Sequence, residues 1–210
     1  APSLVGSEMC IRDSNDFELV IVTKNQDVDE IFKIYNSGEL NFAENKVQEI
    51  LSKRTQLPNN VKWHMIGHLQ TNKVKLIAPF IYMIQSVDSI KILKQINKYA
   101  EKNKRIINCL IQVKVSTDLN KYGFSVNDFN LFVKSDFKKE FPFVNFRGLM
   151  CISSLTSDKQ KIRKEFKLLK KLSKKLNMDA PIVSMGMSND YQIALQEGSN
   201  MLRLGTIIFS

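Results

Sequence analysis

The sequence predicts a single-domain α/β fold, a (β/α)8 TIM barrel, and three observations lead there. From Asp16 onward, short apolar runs rich in β-branched residues alternate with amphipathic helical stretches. Eight such runs occur and a helix follows at least seven of them, which suits a parallel sheet covered on its outer face and closed on itself. The 210 residues suffice for one large core, and no linker, repeat or low-complexity segment divides them. An open doubly wound sheet is the alternative arrangement of the same units.

The elements follow in order. Residues 17–23 form a continuous apolar strand. Val28, Ile31, Phe32 and Tyr35 then recur at helical spacing, with Gly38 as a C-terminal stop, so residues 28–36 read as a helix. A short strand at 40–42 leads to a helix near 44–53 with Val47, Ile50 and Leu51 on one face. The third strand spans 61–66, and a short helix at 71–78 ends at Pro79. The fourth strand is 80–85. Asp88 or Ser89 caps the next helix, whose stripe is Ile90, Leu93, Ile96 and Ala100. A long apolar strand at 106–115, a loop with Lys121 and Gly123, and a helix near 126–137 follow. The sixth strand is 146–152, with Gly148 as a packing or bulge position. A basic amphipathic helix at 158–176, a strand at 182–185, a helix at 190–197 stopped by Gly198 and a strand at 201–204 complete the barrel. Residues 1–14 show no periodicity and read as an atypical, non-native segment set apart from a barrel over residues 15–210.

Composition narrows the function classes. Hydrophobic residues make up 43% and charged residues 25%, a globular balance. No apolar run is long enough to span a bilayer, and no signal peptide opens the chain. Cys10, Cys109 and Cys151 are scattered, odd in number and without CxxC spacing. That points to a reducing compartment, hence the cytoplasm, and away from a structural metal. The net charge of +10 raises nucleic-acid binding as one reading. The lysines are dispersed along helices, however, and no basic-aromatic motif accompanies them, so solvated helix faces are the expectation.

Barrel chemistry sits at the C-terminal ends of the strands. Lys24 follows the first apolar strand directly. A lysine on that rim is costly unless it is paired, neutral or used covalently, and a desolvated amine is free to attack an aldehyde. After the seventh strand comes Ser184-Met185-Gly186-Met187-Ser188-Asn189-Asp190, and after the eighth comes Gly205-Thr206. Both are small, hydroxyl-bearing, glycine-containing turns of the kind that hold phosphate in barrels, with Arg203 beside them as a charged donor. His64, in the third strand, reads on its own as a packed, hydrogen-bonded histidine, and His68 as a rim residue. The two histidines have no carboxylate at ligand spacing, and no GxSxG, P-loop or GxGxxG occurs.

The motifs then resemble a known family. They include VTK at 22–24, NFAENKVQE at 41–49, WHMIGHLQTNK at 63–73, QSVDS at 85–89, RGLMCI at 147–152, SMGMSNDY at 184–191 and RLGTIIF at 203–209. In this order they resemble the YggS/PROSC-type pyridoxal-phosphate homeostasis proteins, and the likeness runs from about residue 19 onward. The resemblance implies a barrel related to the N-terminal domain of bacterial alanine racemase, with pyridoxal 5′-phosphate as cofactor held as an aldimine on Lys24. It places Ser184, Gly186, Ser188, Arg203, Gly205 and Thr206 around the phosphate or ring, and Asn45 and His64 near the cofactor. It further implies a monomer that buffers the cofactor or delivers it to PLP-dependent apo-enzymes, without established turnover. A PLP-dependent racemase or lyase is the alternative. An alanine racemase also needs a second domain and a base from a partner subunit, for which the chain beyond strand eight leaves no room. Two departures stand out: residues 1–14 replace the family's first helix, and Ser210 stands where Gly is common.

Overall fold

The apolar runs become eight parallel strands: β1 (Glu18–Val22), β2 (Asn41–Glu44), β3 (Lys62–Met65), β4 (Met83–Val87), β5 (Ile107–Gln112), β6 (Val144–Met150), β7 (Ile182–Ser184) and β8 (Met201–Leu204). Each pairs with the next, and β8 returns to β1 in the register Glu18↔Met201 to Ile21↔Leu204. This computed structural model, which describes residues 17–118 and 121–210, is therefore a closed barrel, and the open sheet is excluded. The segment 1–14 that the sequence sets apart lies outside the described residues.

The helices are α1 (Val28–Asn36), α2 (Val47–Arg54), α3 (Val74–Ile77), α4 (Ile90–Lys102), α5 (Val126–Phe132), α6 (Phe137–Glu140), α7 (Lys159–Ser173), α8 (Tyr191–Gln196) and α9 (Thr206–Phe209). Their apolar stripes cover the outer face of the barrel. In α4 the buried stripe is Ile92, Leu93, Ile96 and Ala100, and Ser89 caps it by accepting from Ile92 N–H. Each fully buried Leu, Ile or Phe of this layer contributes about 1.5–3 kcal/mol relative to exposure. Inside the barrel a second cluster, including Val20, Ala43, Met83, Leu110, Met150, Ile182 and Met201, fills the axis. Side chains alternate along a strand, so the next inward positions of β4, β7 and β8 are Gln85, Ser184 and Arg203. The interior thus turns from apolar to polar toward the C-terminal mouth.

Several boundaries differ from the sequence reading, each for a physical reason. Residues 44–46 belong to β2 and its exit, not to a helix, because the Glu44 side chain is held between the barrel wall and α2 by Thr23 and Lys53. The start of β4 moves from 80 to Met83, since residues 78–81 close the turn after α3 through Ile81 N–H to Ile77 O (2.8 Å). The expected helix at 126–137 is split into α5 and α6. Phe129 and Phe132 share one face, but Phe137, five residues on, does not. The break lets its ring meet those of Phe132 (4.7 Å) and Phe146 (4.8 Å). Gly148 does mark a bulge: the β5–β6 register shifts beside it, and a Cβ there would lie 1.9 Å from Ile182 O. The short helix α9 follows β8, where the sequence pattern ends at the strand.

Candidate functional site

The site begins with the turn that ends β1. Gln26 N–H closes back on Thr23 O (3.0 Å), and Asn25 takes a left-handed conformation (φ 60°) that asparagine tolerates better than most residues. Lys24 therefore sits at the apex of a defined turn on the barrel mouth. Behind it lies a buried ion pair. Glu44 Oε1 accepts from Lys53 Nζ (2.5 Å) and Thr23 Oγ1 (2.6 Å), and the same ammonium donates to Thr23 O (2.8 Å). The carbonyl just before Lys24 is thus held by a residue of α2.

Lys24, Asn45, Ser188, Arg203, Gly205 and Thr206, six of the nine residues proposed from the sequence, line one cavity of about 520 Å³ at the C-terminal mouth. Val22, Asn25, Gln26, Ile66, Met187, Asn189, Phe209 and Ser210 complete its wall, and none of these is a site residue proposed from the sequence. The loops after β7 and β8 are stitched together where Ile207 N–H donates to Ser188 Oγ (3.4 Å). At Gly205 a Cβ would approach Val22 O to 2.9 Å, so the bare glycine lets β8 run close beside β1 under the cavity floor. Gly67 plays the same part on the other side, since its Cβ would lie 2.1 Å from Asn45 O.

The other three proposed residues do not line the cavity. His64 and Ser184 are fully buried beneath it, joined through Gln85. Gly186 (φ 104°) accepts from Arg203 N–H (3.0 Å), and a side chain there would collide with Ala194 and Leu202. The Arg203 side chain is only 2% exposed. It donates through Nη1 to Ser184 Oγ (2.6 Å) and through Nη2 to Cys151 O (2.8 Å). Burial holds its guanidinium below the usual arginine range, opposed by Cys151 and Asp190 nearby. His64 is pushed down to about 3, first by burial and then by the charge of Lys62, so it is neutral at physiological pH. His68 pairs with Asp88 (2.7 Å) and stacks on Tyr122 instead of lining the cavity.

A second cavity of about 450 Å³ lies between the start of α4 and the α5–α6 break, with Asp88, Asp128 and Glu140 among its walls. Three carboxylates and no cation in its lining make it unsuited to an anionic ligand. Among the described residues no group of three His, Cys, Asp or Glu is placed to hold a metal, and no helix is long and apolar enough to cross a membrane.

A closed parallel barrel, a lysine on its rim after β1, and small hydroxyl- and glycine-bearing turns after β7 and β8 define a barrel of the alanine racemase N-terminal-domain class. The family model with that description matches residues 16–210. The pyridoxal phosphate homeostasis protein of Aquifex aeolicus is 35% identical over 203 residues, covering 94% of this chain and 88% of that protein. Its counterpart in Schizosaccharomyces pombe is 34% identical over 197 residues, covering 91% and 82% respectively. The chain belongs to this pyridoxal phosphate homeostasis family. PipY of Synechococcus elongatus, solved with PLP bound, matches 99% of this chain and 100% of its own with a TM-score of 0.89 and 28% identity. An alanine racemase of Clostridium difficile matches with a TM-score of 0.79 but 14% identity, over 98% of this chain and 56% of its own, and that likeness concerns the fold alone.

Proposed function

We propose that this chain binds pyridoxal 5′-phosphate in the mouth cavity and serves intracellular PLP homeostasis without catalytic turnover. In this reading Lys24 Nζ would hold the cofactor covalently at its aldehyde carbon, the aldehyde oxygen leaving as water. Ser188, Gly205 and Thr206 would hold the phosphate, with Arg203 and Asn45 lining the same cavity beside the ring. The observation that carries it is the convergence of a rim lysine, a buried guanidinium and hydroxyl- and glycine-bearing turns on one cavity. The residues fit the group: the volume lies within the range of small-molecule sites, the hydroxyl- and glycine-bearing turns suit a phosphate, and the Lys24 amine suits an aldehyde carbon. In enzymes the cofactor supplies an electron sink for amino-acid chemistry. Among the described residues that line the cavity, Lys24 and Arg203 carry the titratable side chains, and neither adds a second base for the two-sided proton transfer of a racemase. PipY's bound PLP and the homeostasis role in the relatives' names support the same reading.

The finer parts of this proposal are a barrel domain over residues 15–210, a cytoplasmic monomer, delivery to PLP-dependent apo-enzymes, and a net charge of +10 that serves an anionic cofactor, not nucleic acid. The test is an absorbance spectrum of wild type and Lys24→Ala after PLP addition and desalting, followed by borohydride reduction and peptide mass mapping. A retained band and a mass increase on the Lys24 peptide, both lost in the variant, are expected. A folded wild type that retains no PLP, or labelling that survives Lys24→Ala, overturns the assignment.

A further inference from the structure

Beneath the cavity runs a chain of buried polar side chains whose hydrogen-bond polarity is set at one end. The Arg203 guanidinium carries only donors, so Ser184 Oγ accepts from Nη1 (2.6 Å). Ser184 then directs its one hydroxyl proton to Gln85 Oε1 (2.6 Å). With Oε1 fixed there, the Gln85 amide NH2 faces His64 Nδ1 (3.0 Å) and the Met201 sulfur (3.4 Å). An amide NH2 cannot accept, so Nδ1 does, and His64 carries its proton on Nε2, facing Asn41 Oδ1 (3.1 Å). Every donor points the same way, from Arg203 through Ser184, Gln85 and His64 to Asn41. His64, Gln85 and Ser184 are wholly buried, and no carboxylate hydrogen-bonds Arg203 among the described residues.

We propose that Gln85 is the positioning residue of the site: it fixes the Ser184 hydroxyl as an acceptor, and through it the Arg203 guanidinium that faces the cofactor. This rests on the cofactor reading above. Gln85 lines no part of the cavity. It accepts through Oε1 and donates through Nε2, two fixed atoms of one amide, which a carboxylate in its place would not do. Burial keeps His64 from gaining a second proton, so the chain holds a single polarity over the ordinary pH range.

The experiment has a readout that needs no cofactor. The chain has two histidines, so nitrogen-15 NMR of the unliganded protein resolves both rings. Wild-type His64 is expected as the Nε2–H tautomer. In Gln85→Glu, which offers His64 only an acceptor, it should switch to the Nδ1–H tautomer or become doubly protonated. PLP affinity should fall about tenfold in Gln85→Met, which removes the acceptor for the Ser184 hydroxyl, while reduction still labels Lys24. A wild-type His64 protonated on Nδ1 overturns the proposal without any variant. So does PLP affinity in folded Gln85→Met within about twofold of wild type, the scale of a surface change. Should the wild type bind no PLP while the tautomer switch occurs as expected, the cofactor reading fails and the polarity of the chain stands.

Discussion

Replacing Lys53 by Met tests the strand end that carries Lys24. The Glu44 side chain is 1% exposed and that of Lys53 is 7% exposed. Glu44 Oε1 accepts from Lys53 and Thr23, while Oε2 has no hydrogen-bond partner among the described residues. Removing the ammonium leaves a carboxylate in the protein interior with a single hydroxyl donor. Breaking a buried pair in this way costs about 3–5 kcal/mol. For a chain of this size that lowers the melting temperature by roughly 6–20 °C. The double variant Glu44→Leu, Lys53→Met removes both charges. Thr23 Oγ1 then keeps Ala43 O as an acceptor (3.2 Å), and Thr23 O keeps the Gln26 N–H (3.0 Å). Its expected cost is within about 1 kcal/mol of wild type, because replacing a buried pair by apolar groups is often neutral. The assay is urea unfolding of wild type, the single variant and the double variant at pH 7 without cofactor. A single variant that loses less than about 1 kcal/mol, or a double variant as unstable as the single, would show that packing outweighs the desolvated charge.

Other outcomes follow from the same geometry. Burial lowers His64 from the ordinary histidine value of 6.5 to about 3 when folded, so between those pH values the unfolded chain binds the extra proton and the folded chain does not. Its contribution is therefore complete above pH 6.5 and is lost on acidification, by roughly 2–3 kcal/mol between pH 6.5 and 4.5. Urea midpoints across that range should show the slope, and His64→Gln should flatten it. Gly67→Ala sets a Cβ against Asn45 O, so the Asn45 side of the cavity must shift. The expected result is a protein destabilised by about 1–3 kcal/mol with weaker PLP retention, measured by melting and by absorbance after desalting. Burial pushes the Cys151 thiol up to about 12, and Cys109 is likewise buried. Neither should react with a disulfide reagent until the protein is unfolded, as peptide mapping of the labelled chain would show.

Much of this was legible because periodicity reports which face of an element is buried. Val28–Asn36 and Met201–Leu204 have the bounds their apolar spacing predicts, and Lys24 falls on the rim because strand ends in a barrel share one mouth. The errors arise where distant groups decide. Glu44 reads as a helix start by composition, yet the Lys53 ammonium and the Thr23 hydroxyl pull it into β2. The helix at 126–137 breaks because Phe137 must reach Phe146. Gln85 carries no local signal of a site residue, although alternation along β4 places it two residues above the interior Met83.

The sequence by itself determined the barrel, its order of strands and the chemical types gathered on the rim, since these depend on local pattern and on motifs carried whole in the chain. Only the tertiary structure decided which of those residues meet. Lys24, Asn45, Ser188, Arg203, Gly205 and Thr206 share one cavity, while His64, Ser184 and Gly186 stand below or beside it. The physical reason is closure: whether a polar side chain faces the cavity or another buried group depends on strand tilt and hydrogen-bond partners on strands far apart in sequence. Those partners are fixed only when β8 meets β1.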